Sequence, residues 1–158
     1  TGVLLNDEMD DFSAKPGVPN VYGLVGAEAN AIAPGKRMLS SMSPTFIESQ
    51  QGVAILGTPG GSRIISMVLL AGLGYTEGLS AKAMVSLPRF HHQYLPDMLF
   101  YEPGAISEKN AGHMQAMGHE LKALQQTYGN MQVVIWNKKD NTVSAATDPR
   151  GEGKASVQ

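Results

Sequence analysis

Gly57-Thr58-Pro59-Gly60-Gly61-Ser62-Arg63 follows a short apolar run, Val53-Ala54-Ile55-Leu56, and opens into a segment patterned as a helix over residues 62–73. A strand, a glycine turn and a helix start in that order leave backbone N–H groups pointing outward, because the first N–H groups of a helix have no internal partner. Gly60 and Gly61 can adopt backbone angles closed to other residues and allow a ligand to approach closely. The helix start adds partial positive charge at the same spot. Such a turn can hold a phosphate, a carboxylate or the oxyanion of an acyl transfer. It serves equally well as a tight βα connection with no ligand, so the turn alone does not decide between them.

Composition narrows the field. At 158 residues the chain is about one domain long, and a hydrophobic content of 42% suffices for a core. The net charge of −2, with Lys138-Lys139 as the only basic doublet, gives no footprint for nucleic acid. The longest apolar run, around residues 64–73, is too short to span a membrane. With no cysteine, disulfides, thiolate chemistry and Cys-based zinc sites are excluded. The start Thr1-Gly2-Val3-Leu4-Leu5 carries no charged leader, and since a processed piece would lack one too, location stays open.

Along the chain, Val3-Leu4-Leu5 reads as a short strand running into the polar stretch Asn6-Asp7-Glu8-Met9-Asp10-Asp11. Residues 12–36, with Pro16, Pro19 and Pro34, keep no helical or alternating pattern, and a loop of that length is a lid or disordered. In the helix after the glycine turn, Ile64, Ile65, Val68, Leu69 and Leu73 are placed on one packed side, with Gly72 and Gly74 ending it. Ser80 caps a second helix carrying Ala81, Met84 and Val85, which Pro88 stops. Met98-Leu99-Phe100-Tyr101 reads as a strand. Ser107 caps a third helix ending before Gly118. Residues 131–136 and 143–146 form a hairpin around Lys139-Asp140-Asn141. The polar, Gly-containing residues 148–158 read as a loose tail. The whole is a mixed α+β or layered α/β domain, taken as a single piece over 1–158.

Four groups of residues carry chemistry. Glu8, Asp10 and Asp11 suit recognition of a cation such as a substrate ammonium, or else form a solvated turn. Ser40-Ser41 and Ser43 can hydrogen-bond a carboxylate, or simply build a turn before Pro44. His91 and His92 are adjacent and point to opposite faces if on a strand, which favours structural hydrogen bonds over metal ligation. Thr1 would be a nucleophile only at a genuine free N-terminus, and otherwise it is ordinary chain. Neither Gly-x-Ser-x-Gly nor the EF-hand spacing occurs.

Taken in order, Leu4-Leu5-Asn6, Met9-Asp10-Asp11-Phe12-Ser13, Lys15-Pro16-Gly17-Val18-Pro19-Asn20, Arg37-Met38-Leu39-Ser40-Ser41-Met42-Ser43-Pro44-Thr45, Gly60-Gly61-Ser62-Arg63-Ile64, Pro88-Arg89-Phe90-His91-His92-Gln93 and Asp148-Pro149-Arg150 resemble the γ-glutamyltranspeptidase family, in the later part of its small catalytic subunit. The resemblance implies an N-terminal-nucleophile hydrolase fold, a four-layer αββα sandwich made by autocleavage of a precursor. It implies transfer of the γ-glutamyl group of glutathione or related amides to an amino acid or water, with no cofactor. It assigns oxyanion N–H groups to Gly60 and Gly61, the substrate α-carboxylate to Ser40 and Ser41, the α-amino group to Glu8 and Asp11, and a place on the lid to Tyr22. The family's nucleophilic threonine falls upstream of the segment matching Thr1, so this chain is expected to supply binding and oxyanion groups and to be inactive alone. Its implied partners are the large subunit and the upstream part of the small subunit, and its implied location periplasmic or secreted. A non-catalytic binding module for glutamate-like ligands, or an inactive domain, are the alternatives.

Overall fold

The computed structural model describes residues 5–158. The strand expected at Val3-Leu4-Leu5 and the residue Thr1 lie outside that range, except for Leu5, which is exposed and in no regular element. Where the sequence suggested a single piece, the chain divides into two compact units, with the boundary after Ser41.

The first unit, residues 5–41, has almost no core. Phe12 is its one buried apolar side chain among the described residues. Two short 3-10 turns, Glu8–Asp11 and Glu28–Asn30, are its only helical elements. Isolated bridges join Ser13 to Ala31 and Pro19 to Val25. The long stretch 12–36 is therefore a set of pinned turns, consistent with its proline and glycine content.

The second unit, residues 42–158, is mixed α/β. An antiparallel sheet runs in the order β1 (Thr45–Glu48), β2 (Gly52–Gly57), β6 (Gln132–Asn137), β7 (Thr142–Thr147). A smaller sheet joins β3 (Phe90–Tyr94) to β4 (Asp97–Tyr101) antiparallel and β4 to β5 (Leu121–Ala123) parallel. On one face of the larger sheet, Ala54, Leu56, Met131 and Val133 pack against Met67 and Ala71 of α1 (Ile64–Thr76) and Ala81, Met84 and Val85 of α2 (Ala81–Ser86). Fully burying side chains of this size contributes about 1.5–3 kcal/mol each. The opposite face carries Phe46, Ile55 and Val134 in one cross-strand row and Val53, Trp136 and Val143 in the next. Phe46 there is 69% exposed.

Both caps read from the sequence form. The Ser80 hydroxyl accepts from Ala83 N, and Ser107 from Asn110 N at the start of α3 (Glu108–Ala116). The β6–β7 hairpin forms too, with Asn141 in the left-handed region at φ 54°.

Helix α1 differs from expectation in two ways. Gly72 and Gly74 do not end it, and it runs on to Thr76. A Cβ on Gly74 would lie 3.1 Å from Leu79 Cδ1 and 3.3 Å from Leu87 Cδ1, so the glycine is there to let neighbouring chain approach closely. The packed stripe is Ile64, Met67, Ala71 and Gly74, while Ile65, Leu69 and Leu73 face solvent, Ile65 being 70% exposed. The chain end is likewise not loose from residue 148. Asp148 is fully buried and Arg150 is held by two carboxylates. Regular structure is absent only from 152 onward.

Candidate active site

The glycine turn lies where the sequence placed it, between β2 and α1. Gly60 has φ 142° and Gly61 φ 56°, both values that L side chains rarely adopt. A Cβ at Gly60 would also come 2.8 Å from Met67 Cε. Arg63 N closes the turn by donating to Gly60 O at 3.1 Å, and a 3-10 turn, Gly61–Arg63, leads into α1. Among the described residues neither Gly60 nor Gly61 donates its N–H to a backbone carbonyl. Two adjacent free N–H groups at a helix start are chemically suited to an anion.

Behind this turn sits a buried ionic network that sequence reasoning missed. Arg89, Glu102 and Asp148 are nearly or wholly buried, and Arg150 is mostly so. Arg150 pairs with Glu102 at 2.6 Å and with Asp148 at 3.1 Å, and Arg89 pairs with Asp148. Two cations and two anions balance. Backbone donors complete both carboxylates: Tyr128 N and Arg89 N reach Glu102, and Met131 N and Arg150 N reach Asp148. Burial alone would raise the Asp148 carboxyl, but the hydrogen bonds from Arg150, Arg89 and Met131 outweigh it and hold it below the usual carboxylate range. Arg89 also donates to Tyr128 O, and a Cβ on the next residue, Gly129, would come 2.5 Å from Arg89 Nη1. Asn130 N then donates to Thr58 Oγ1 at 3.4 Å, tying this loop to the glycine turn itself. The one signal in the sequence was that Arg89 and Asp148-Pro149-Arg150 both lie in the stretches that carry the resemblance.

His91, on β3, is buried and bridges Ser66 of α1 and Gln93, at 2.8 Å to each. Since Gln93 Nε2 donates to Leu95 O, its Oε1 accepts, which assigns the proton to His91 Nε2 and leaves Nδ1 accepting from Ser66. Burial, helped by the charges of Arg63 and His92, holds the imidazole below its ordinary value despite the Gln93 hydrogen bond. His91 is thus a structural neutral histidine, as expected. His92, on the other face, contacts Asp97 at 2.7 Å. Among the described residues no group of three or more His, Asp and Glu is placed to hold a metal ion.

The remaining candidates belong to the first unit. Glu8 and Asp11 sit three apart in a 3-10 turn, where such side chains eclipse, so both half-buried carboxylates share one side. Neither is ion-paired among the described residues. Asn30, which sequence reasoning also missed, joins this acidic segment to the serines. Its Nδ2 donates to Asp11 O at 2.6 Å, and its Oδ1 accepts from Leu39 N at 3.0 Å, immediately before Ser40-Ser41. Ser40 is exposed and Ser41 half-buried. Tyr22 lies in a turn whose N–H is held by Asn20 Oδ1 at 2.9 Å. One amide therefore brings together the chain at the acids and the chain at the twin serines.

The γ-glutamyltranspeptidase family profile matches residues 1–158. The chain belongs to the γ-glutamyltranspeptidase family. It is 47% identical over 152 residues to the glutathione hydrolase proenzyme of Escherichia coli (strain K12), which covers 95% of this chain and 26% of that protein. It matches the crystal structure of an acivicin-inhibited γ-glutamyltranspeptidase with a TM-score of 0.83 and 42% identity, covering 96% of this chain and 82% of that one. The transpeptidase CapD of Bacillus anthracis, 22% identical, shares the fold with a TM-score of 0.69, covering 100% of this chain and 91% of that one. This γ-glutamyltranspeptidase chain spans about a quarter of the length of the first curated relatives it matches.

Proposed function

We propose that this chain supplies the substrate-binding and oxyanion groups of a γ-glutamyl transferase and hydrolase, acting on glutathione or related γ-glutamyl amides. Glu8 and Asp11 hold the substrate α-ammonium, Ser40 and Ser41 its α-carboxylate, and Tyr22 lies on the 12–36 lid. The hydroxyl of an N-terminal threonine outside this chain attacks the γ-carbonyl carbon. The C–N bond then breaks, the amine leaves with a proton, and water or an amino acid later takes the acyl group from the threonine. Gly60 and Gly61 donate to the oxyanion that forms at each attack. The observation that carries this reading is the glycine turn: two adjacent backbone N–H groups, free of protein acceptors, at positions where only glycine fits comfortably.

The partners in this reading are the large subunit and the upstream part of the small subunit, cut from one precursor. Together they complete a four-layer αββα sandwich of which 1–158 forms a single portion. The uncovered apolar face of the larger sheet, with Phe46, Ile55, Val134 and Trp136, supports a second sheet packed against it.

The test assembles this chain with the upstream segment and large subunit and follows p-nitroaniline release from a γ-glutamyl anilide. Gly60→Val should lower kcat by about 10²–10³, the loss typical of a missing oxyanion donor. Unchanged turnover in that variant would refute the assignment. Binding of glutamate without any turnover by the assembled wild type would instead favour a ligand-binding module.

A further inference from the structure

Beside the glycine turn is an open cleft of about 510 Å³ whose lining includes Arg63, Lys122, Gln125, Gln126, Thr127 and Tyr128. No acidic side chain lines it, although the chain as a whole is net acidic at −2. Arg63 lies over the Tyr128 ring, 4.5 Å from its centroid, which fixes the guanidinium by a cation–π contact. Lys122, on β5, lies 6.0 Å from the centroid of the Phe100 ring. Among the described residues neither cation is paired with a carboxylate. A preorganised guanidinium with unused donors, an ammonium nearby and side-chain amides between them form a receptor for one carboxylate.

Its position says which carboxylate. Arg63 belongs to the turn that carries Gly60, and its Cβ is 4.0 Å from where a Cβ on Gly60 would stand. A group bonded to a carbonyl held at that turn starts within a few ångströms of Arg63. Two extended residues reach about 7 Å, enough to bring a peptide terminus to an arginine's tip.

We infer that this cleft binds the terminal carboxylate of the peptide attached to the γ-glutamyl group, making the enzyme selective for donors whose leaving amine is an anionic dipeptide. This rests on the γ-glutamyl reading above and extends it from the glutamyl side of the scissile bond to the leaving side. Arg63 and Lys122 act here in specificity, not in bond breaking.

The experiment uses the assembled two-subunit enzyme and two donors, a γ-glutamyl dipeptide with a free C-terminus and the same compound as its C-terminal amide, with glutamate release as the readout. Wild type should show a KM several-fold lower for the free acid. Arg63→Gln and Lys122→Met, made separately, should each erase most of that preference, costing the acid about tenfold in kcat/KM and the amide much less, as expected for loss of one charge-assisted hydrogen bond. Lys122 is exposed, so its replacement tests the idea even if Arg63→Gln disturbs the turn. Equal KM values for acid and amide in the wild type, or variants that lower both donors alike, would overturn the proposal while leaving γ-glutamyl hydrolysis intact. Failure of the wild type to cleave either donor would bring down the γ-glutamyl reading itself, and this inference with it.

Discussion

Residues 5–41 and 42–158 hold their shape by different physics. The second unit has an apolar core between its larger sheet and helices α1 and α2, and an ionic network with its carboxylates fully hydrogen-bonded. The first has one buried apolar side chain among its described residues and depends on turns tied by single polar links, Asn30 chief among them. A core spreads its stabilisation over many contacts, whereas a pinned loop loses its geometry with one pin. The substrate-gripping candidates thus lie on the segment that is cheaper to distort, and the oxyanion candidates on the more rigid one, a division common where loops carry recognition on a stable scaffold.

The largest way to break that contrast is Asp148→Asn. It leaves Arg89 and Arg150 buried with one carboxylate between them and should cost about 3–5 kcal/mol, seen as a large fall in the denaturation midpoint. A shift of less than a quarter of that would mean the network is incidental to the second unit. Asn30→Ala should act on the first unit instead. Loss of its two hydrogen bonds, at about 1–3 kcal/mol, should speed amide exchange across residues 8–41 while leaving exchange in β2 and β6 unchanged. Equal acceleration in both units would show that they are not separate in stability.

The pH dependence should follow the second unit's two depressed groups. His91 titrates below its ordinary 6.5 when folded, so the unfolded chain binds the extra proton first. Its contribution is complete above about pH 6.5 and is lost as pH falls toward the folded value. Asp148, also depressed, contributes fully above about pH 4 and loses that contribution below it. Melting temperature should therefore be flat near pH 7–8 and fall in two stages, and His91→Gln should remove the upper one. Smallest of all is Tyr128→Phe. The hydroxyl is buried without a partner, and burial pushes the phenol up to about 12, so it stays neutral at physiological pH. Removing it should leave stability unchanged or raise it by up to about 1 kcal/mol, and marked destabilisation would show that the hydroxyl has a partner in solution.

Much of this architecture was legible because its signals are local. Ser80 and Ser107 sit just before helix-forming segments, Asn141 and its neighbours favour a reversal between two β-rich runs, and paired glycines after a strand mark a tight turn. What could not be read depends on residues far apart in sequence. Gly72 and Gly74 look like stop signals until their neighbours are known, and only the packing of Leu79 and Leu87 turns Gly74 into a contact point. The same packing selects the small side of α1 for burial and leaves Ile65, Leu69 and Leu73 outside, the reverse of what hydrophobicity suggests. Strands β1, β3 and β5 are short or polar and take their identity from the partners they pair with. The ionic network joins residues up to 59 positions apart, so no window of sequence contains it. Of the candidate site, the residue types were readable, but the link through Asn30 and the support behind the glycines were not.

Trp136 is the chain's sole tryptophan, and it stands on the open face of the larger sheet with its indole N–H on Asn141 at 3.0 Å. An indole 41% exposed emits at a wavelength governed by the water around it. If another layer comes to rest on that sheet, the emission should move to the blue, giving an unlabelled optical gauge of maturation that needs no substrate.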